Sequence, residues 1–310
     1  MQIIRNLNQS KITNSPSLAL TIGNFDGLHL GHQKIIEEIK EIASNQNLKS
    51  AVLTFEPHPQ SFFQKNKNEN FRIYNLSQKL KIFQENKIDY FILLPFNQTL
   101  ANVEANIFVE DFLIKKLNIK HLSIGYDFTF GKNRLGNFNL LEEKSRQFSF
   151  SLKQVPALTK DSNICSSTLI REMISKGNIK QANTLLGRNF NVSGIVNFGK
   201  QIARQLGFPT ANILSLPHII KPKYGVYKTI THILHLNQKF FSITNFGIKP
   251  TFNNSTTQEL FETYIFDFSQ NLYGKKITVE FVDFIREEKK FSSIEDLKNQ
   301  IELDVAAAKK

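Results

Sequence analysis

The sequence predicts two domains of different class: a doubly wound α/β domain on a parallel sheet, then a small antiparallel β-barrel with a terminal helix. Three observations lead there. The chain has 310 residues, beyond the ~250–300 at which a single core stops growing. Its first half alternates short apolar runs with helical periods, the pattern of a parallel sheet with helices on both faces. Past about Arg188 that alternation gives way to short β-type runs separated by turn residues, the pattern of an antiparallel barrel or sandwich.

Taken in order, residues 18–22 form the first strand expected. Ile35, Ile36, Ile39, Ile42 and Ala43 then fall on one helical face. Residues 51–55 make a second strand, stopped by Pro57 and Pro59, and residues 90–94 a third, stopped by Pro95. Residues 107–117 have helical spacing, and residues 121–124 make a fourth strand. In the second half the expected strands are 191–196, 225–230, 240–244, 263–268 and 276–284. One helix closes the chain, with Ser292 and Glu295 as its capping box and Ile294, Leu297, Ile301 and Val305 as its stripe. The junction is short, near 184–190, which divides the chain into residues 1–186 and 187–310.

The formal net charge is +12, a balance that draws polyanions. The basic clusters are short and lack interleaved aromatics, so solvated lysines and phosphate-bearing small substrates account for it without nucleic acid. The single cysteine, Cys165, rules out an internal disulfide and fits a reducing cytoplasm. The N-terminus has no apolar core of a secretory signal, and no apolar run reaches the about 18 residues of a membrane span. No nucleic-acid or membrane partner is expected.

The segment from Thr21 to His32 carries the most chemistry. Gly23, Gly27 and Gly31 let the backbone turn tightly between a strand and a helix. The helix that follows presents free N–H groups and a positive dipole end, a natural phosphate seat. His29 and His32 are spaced to face that seat and donate to a phosphate oxygen. An His-x-x-His pair is also a zinc pattern, but no further His or Cys cluster lies nearby in the sequence. A second block, Ser166-Ser167-Thr168-Leu169-Ile170-Arg171, places hydroxyls at a helix start beside an arginine, a second anion clamp. Two such clamps on one α/β sheet suit a nucleoside triphosphate cleaved between its α- and β-phosphates.

The first segment resembles the Gly-x-Phe-Asp-Gly-x-His-x-Gly-His signature of the HIGH-type nucleotidylyltransferases. Phe55-Glu56-Pro57-His58-Pro59 and Gly125-Tyr126-Asp127-Phe128-Thr129-Phe130-Gly131 look like the prokaryotic FAD synthetase branch. The resemblance implies that Gly23, Asn24, Phe25, Asp26 and Gly31 cradle the nucleotide, with His29 and His32 catalytic on the α-phosphate. It places Asp127 near the nucleotide, Phe128 and Phe130 along the flavin, and Ser167, Thr168 and Arg171 on the departing pyrophosphate. Leu169 stands where the family often has a basic residue.

In the second half, Leu206-Gly207-Phe208-Pro209-Thr210-Ala211-Asn212 places a hydroxyl and an amide two residues apart. In an extended stretch both point to one side and offer hard oxygens to Mg²⁺. This block resembles the signature of riboflavin kinases. So do residues 223–227, 245–252, 262–266, 272–275 and 284–286, in family order. The resemblance implies Thr210 and Asn212 as metal ligands and Glu262 as the general base on the riboflavin hydroxyl. It also implies Gly199 and Arg204 at the nucleotide and Arg286 against flavin or nucleotide. Ala203 stands where the family usually has glycine, at a cost on the order of 1 kcal/mol if the backbone there is left-handed. The function implied is bifunctional: riboflavin to FMN with ATP, then FMN to FAD with release of pyrophosphate. Mg²⁺ is the cofactor and ATP the co-substrate; oligomeric state is not implied either way.

Overall fold

In the first half the central strands are near-continuous apolar runs buried on both faces, and apolar residues recur every third or fourth position along the helices, so a sheet is covered by helices on both sides. The computed structural model describes residues 1–5, 7, 17–63, 70–199, 206–250 and 257–309. They gather into two compact units, Met1–Glu69 with Tyr74–Ser166, and Asn70–Ile73 with Ser167–Lys310.

Among the described residues, the main sheet of the first unit has six strands: β1 (Gln2–Ile4), β2 (Leu18–Ile22), β3 (Lys49–Glu56), β4 (Tyr90–Pro95), β5 (Ile119–Gly125) and β6 (Ser151–Val155). Their order is β1-β4-β3-β2-β5-β6, and every pair is parallel. Helix α1 (Leu30–Asn45) follows β2, α2 (Leu76–Glu85) precedes β4, and α3 (Phe138–Phe148) precedes β6. From β2 the chain moves outward through β3 and β4, then returns to β5 on the other side. The switch point therefore lies between β2 and β5, where ligands of open α/β sheets bind.

Burial follows the pleat. Leu18, Leu20 and Ile22 enter one core cluster with Phe108, Leu113 and Ile124, while Ala19 turns the other way against Ile39 and Ala43 of α1. Ile35, Ile36 and Ile39 are buried along α1, each worth about 2 kcal/mol of apolar burial. The expected helix over 107–117 is wound differently: Phe108–Lys116 is a π-helix. The wider turn sends both Phe108 and Val109 inward with Leu113 and stacks Phe108 on Phe112 at 5.5 Å. Strand β6 carries an exposed, polar pattern at the sheet edge, so alternation gave no signal for it.

In the second unit, helices α4 (Ser167–Ser175) and α5 (Ile179–Leu186) precede six strands: β9 (Asn191–Asn197), β10 (Thr210–Leu214), β11 (Gly225–Ile233), β12 (Gln238–Pro250), β13 (Thr257–Ile265) and β14 (Lys276–Arg286). Two short strands, β7 (Thr159–Lys160) and β8 (Asn163–Ile164), pair in the first unit. The six close into a barrel, β10-β13-β12-β11-β14-β9, antiparallel throughout. Tyr227, Phe246, Phe261 and Phe281 fill it, with Phe246 stacked on Phe261 at 4.4 Å. Five fully buried hydroxyls lie beside them. They join in a chain from Thr231 to Ser242 (2.9 Å), Thr229 (2.8 Å), Thr244 (3.0 Å) and Thr263 (2.9 Å).

Three expectations shift here. The strand expected over 263–268 ends at Ile265, because Asp267 takes a left-handed turn at φ 55°. The terminal helix α6 (Ile294–Lys309) is capped one residue later than expected: the Asp296 N–H donates to Ser293 Oγ at 3.0 Å, and Ser292 Oγ bonds the Asp296 carboxylate. The packed face keeps the expected stripe except at its first residue. Ile294 is 66% exposed, and Ile301, Val305 and Ala308 pack against Ile243 and Phe266. Helix α5 packs with the barrel, since Asn183 donates to the Phe281 carbonyl and accepts from the Phe190 N–H. The packing division at Ser166 thus precedes the change of sequence pattern at 186/187.

Candidate active sites

At the end of β2 the chain must turn into α1 within a few residues. It does so with Phe25 at φ 48°, Gly27 at φ 74° and Leu28 at φ 46°. Two non-glycine residues in left-handed backbone cost on the order of 1 kcal/mol each, and both are buried. Such strain persists only where neighbours enforce it, and it collects at functional sites. His29 is the N-cap of α1 and makes no side-chain cap bond. Its ring stacks on that of His32 at 3.7 Å and 22°, one helical turn apart, as the spacing requires. Phe25 meets the His32 ring edge-on at 5.2 Å. A Cβ at Gly31 would lie 3.2 Å from the His29 ring and 3.6 Å from the Cys165 carbonyl, so a glycine there lets the ring sit flat. The expected cradle residues Gly23, Asn24, Phe25, Asp26 and Gly31 are thus gathered with both histidines at the N-terminus of a helix, on the switch point. A phosphate is favoured at such a place by free N–H groups and the dipole.

Asp127 follows β5, the neighbour of β2, and its carboxylate passes 3.5 Å from where a Gly125 Cβ would be. Phe128 stacks on Phe130 at 5.6 Å. Phe130 is buried against Phe108, while Phe128 is half-buried. Three further phenylalanines, Phe62, Phe63 and Phe96, escaped the sequence reading and join Phe55 of the second strand. Phe55, Phe62, Phe63 and Phe96 form a ring cluster with centroids 5.2 to 5.9 Å apart, at the carboxyl ends of β3 and β4. The signal available was the proline stop after each strand, which delivers Phe55 and Phe96 to the same sheet edge.

In the second unit, Ser167 opens α4, and the Arg171 guanidinium lies 3.5 Å from Thr168 Oγ1. Ser167, Thr168 and Arg171 are therefore grouped on one helical turn. In the barrel, register puts Asn212 opposite both Glu262 and Asn197, and Glu262 opposite Asn245. Residues directly opposite share a face, so four polar residues run in a row across the outer surface. Asn212 is 5% exposed, and its Oδ1 has no hydrogen-bond partner among the described residues. A Cβ at Gly199 would come within 2.2 Å of the Asn212 amide nitrogen, so that approach requires glycine. Thr210 lies two residues before Asn212 on the same strand, opposite Tyr264. Arg204 and Ala203 lie outside the described residues. Arg286 grips Asp304 of α6 through Nε (2.8 Å) and Nη2 (2.6 Å), and donates to the Glu287 carbonyl.

Comparison with known proteins decides the family. A model described as FAD synthetase matches residues 11–169, and one described as riboflavin kinase matches residues 186–310. A bifunctional riboflavin kinase/FMN adenylyltransferase of Haemophilus influenzae is 41% identical over 310 residues, covering 100% of this chain and 98% of the relative. The chain belongs to the bifunctional riboflavin kinase/FMN adenylyltransferase family. The Escherichia coli K12 member is 34% identical, covering 100% of this chain and 97% of its own. A solved structure from Streptococcus pneumoniae, described as a macrolide-efflux protein, superposes with a TM-score of 0.88 at 29% identity, covering 100% of this chain and 99% of that one. As a family member the chain is an enzyme of flavin biosynthesis, taking riboflavin to FMN and FMN to FAD at the expense of ATP. Among the described residues, no helix is long and apolar enough to cross a membrane.

Proposed function

We propose that residues 1–186 carry the adenylyl transfer and residues 187–310 the kinase. The stacked His29–His32 pair at the N-terminus of α1 carries the first assignment. The α-phosphate of ATP sits on the free N–H groups of α1, in the turn from Gly23 to Asp26 closed by Gly31. His29 and His32 donate ring N–H groups to its oxygens as charge builds in the transition state. A phosphate oxygen of FMN attacks the α-phosphorus, and pyrophosphate leaves to Ser167, Thr168 and Arg171, an arginine–hydroxyl clamp suited to it. Asp127 lies at the nucleotide. Phe128, propped by Phe130, borders the flavin, and the cluster around Phe96 offers further planar faces to a planar ring.

In the kinase, Glu262 takes the proton of the riboflavin 5′-hydroxyl as that oxygen attacks the γ-phosphorus of ATP. Asn212 Oδ1, buried and without a hydrogen-bond partner among the described residues, fits a hard cation, and with Thr210 it would hold Mg²⁺. When bound, that ion neutralises phosphate charge. Gly199 and Arg204 contact the nucleotide, and Arg286, engaged by Asp304, borders the flavin from the end of β14. The lone Cys165 accords with a cytoplasmic setting. Riboflavin, FMN and ATP are the partners; no nucleic acid or membrane enters the scheme.

The test is direct. Purified protein is incubated with riboflavin, ATP and Mg²⁺, and the flavins are separated by chromatography. FMN and FAD are both expected. FAD from supplied FMN but not from riboflavin would remove the kinase assignment, and no flavin product would remove both.

A further inference from the structure

The cradle is gripped from outside its own loop. Lys79 lies on α2, yet its side chain is only 2% exposed, and its Nζ donates to the Asn24 carbonyl at 2.8 Å. Thr54 Oγ1, near the end of β3, reaches the same carbonyl at 3.5 Å. One turn further along the same face of α2, the buried Phe83 meets Phe25 edge-on at 5.5 Å and Phe91 at 5.3 Å. Helix α2 thus holds two consecutive cradle residues, Asn24 by its carbonyl and Phe25 by its ring. Phe25 in turn abuts His32.

Helix α2 also has a well-defined start. Its start is fixed by a capping box in which Asn75 Oδ1 accepts from the Gln78 N–H at 2.9 Å and Gln78 Oε1 accepts from the Asn75 N–H at 3.0 Å. A buried ammonium is costly where an apolar side chain would fill the same space. Here the charge lies beneath a turn whose helix terminus and histidines already favour an anion. It also bonds the carbonyl next to a left-handed phenylalanine, a backbone state that needs enforcement.

We infer that Lys79 is a positioning residue for adenylyl transfer, acting through the Asn24 carbonyl to fix the backbone that seats the α-phosphate. The inference rests on the reading of the cradle as that seat. Lys79→Met keeps the length of the side chain and removes the charge and the donor. Full-length protein is assayed for FAD from supplied FMN and ATP, and the same preparation for FMN from riboflavin. In the variant, adenylyl transfer falls about 10- to 100-fold, as for a displaced catalytic frame. The KM for ATP rises, while the KM for FMN and the kinase rate hold. Lys79→Arg, which keeps a donor, regains part of the loss.

Wild-type FAD formation by Lys79→Met overturns the inference. So does a loss spread equally over both KM values, or an arginine variant no better than the methionine one. Should Lys79→Met fail to fold, Thr54→Val removes the second donor to the same carbonyl, and an unchanged KM for ATP there counts against the inference. Wild-type protein that makes FMN but no FAD overturns the reading of the cradle itself, which is distinguishable because no variant is involved.

Discussion

The two sites are assembled by opposite means. In the first unit the proposed cradle is local: residues 21–32 supply the turn, both histidines and the helix terminus. In the barrel the site is non-local. Asn212, Glu262 and Asn245 come from three strands and meet only because register sets them in a row. A backbone site tolerates changes in side chains that leave the turn intact, whereas a register site depends on each side chain it aligns. The barrel is therefore the more sensitive to single substitutions at its chemistry, and the cradle to substitutions that move its frame.

The comparison can be broken or sharpened. Glu262→Gln should lower the rate of FMN formation from riboflavin about 10²–10⁴-fold, the span for loss of a general base, with FAD formation from supplied FMN unchanged. Steady-state rates on one preparation measure both. His32→Ala should cost FAD formation about 10²–10³-fold, as for a lost donor to a developing charge, and spare the kinase. Equal loss of both activities in either variant would end the idea of two independent sites.

Gly199→Ala is the subtler probe. Its Cβ would press on the Asn212 amide at 2.2 Å, so the kinase rate should fall about tenfold, as a small misplacement of a catalytic group implies. The Mg²⁺ concentration for half-maximal rate should rise; a Mg²⁺ titration reads this directly, and an unchanged midpoint would detach Asn212 from the metal. The smallest effect concerns stability in the first unit. Burial holds His121 below its ordinary value of 6.5, against the opposing pull of Glu38. The unfolded chain then binds more protons there, so stability is full above pH 6.5 and is lost as the pH falls below it. His121→Gln should flatten the fall in melting temperature over that range.

The same contrast governs what the sequence could tell. The cradle was legible from residues because its glycines and histidines are contiguous and their spacing maps onto one turn of helix. The barrel row was not, since nothing in a linear string places Asn212 beside Glu262; resemblance supplied what geometry later aligned. Lys79 escaped because burial of a lysine leaves no mark in a sequence, although Asn75 and Gln78 could have announced its helix. The cap of α6 slipped from Ser292 to Ser293 because adjacent serines offer two equivalent starts.

The buried hydroxyl chain inside the barrel has a consequence for its strands. Thr231, Ser242, Thr229, Thr244 and Thr263 satisfy one another only in the native pairing. Sliding β12 by one residue would turn its side chains to the opposite face, take Ser242 and Thr244 away from Thr229, Thr231 and Thr263, and carry Asn245 away from Glu262. Purely aliphatic packing would penalise such a slip less sharply, because one branched chain substitutes for another. The chain of hydroxyls is in effect a ruler, and the outer row of Asn212, Glu262 and Asn245 is measured against it.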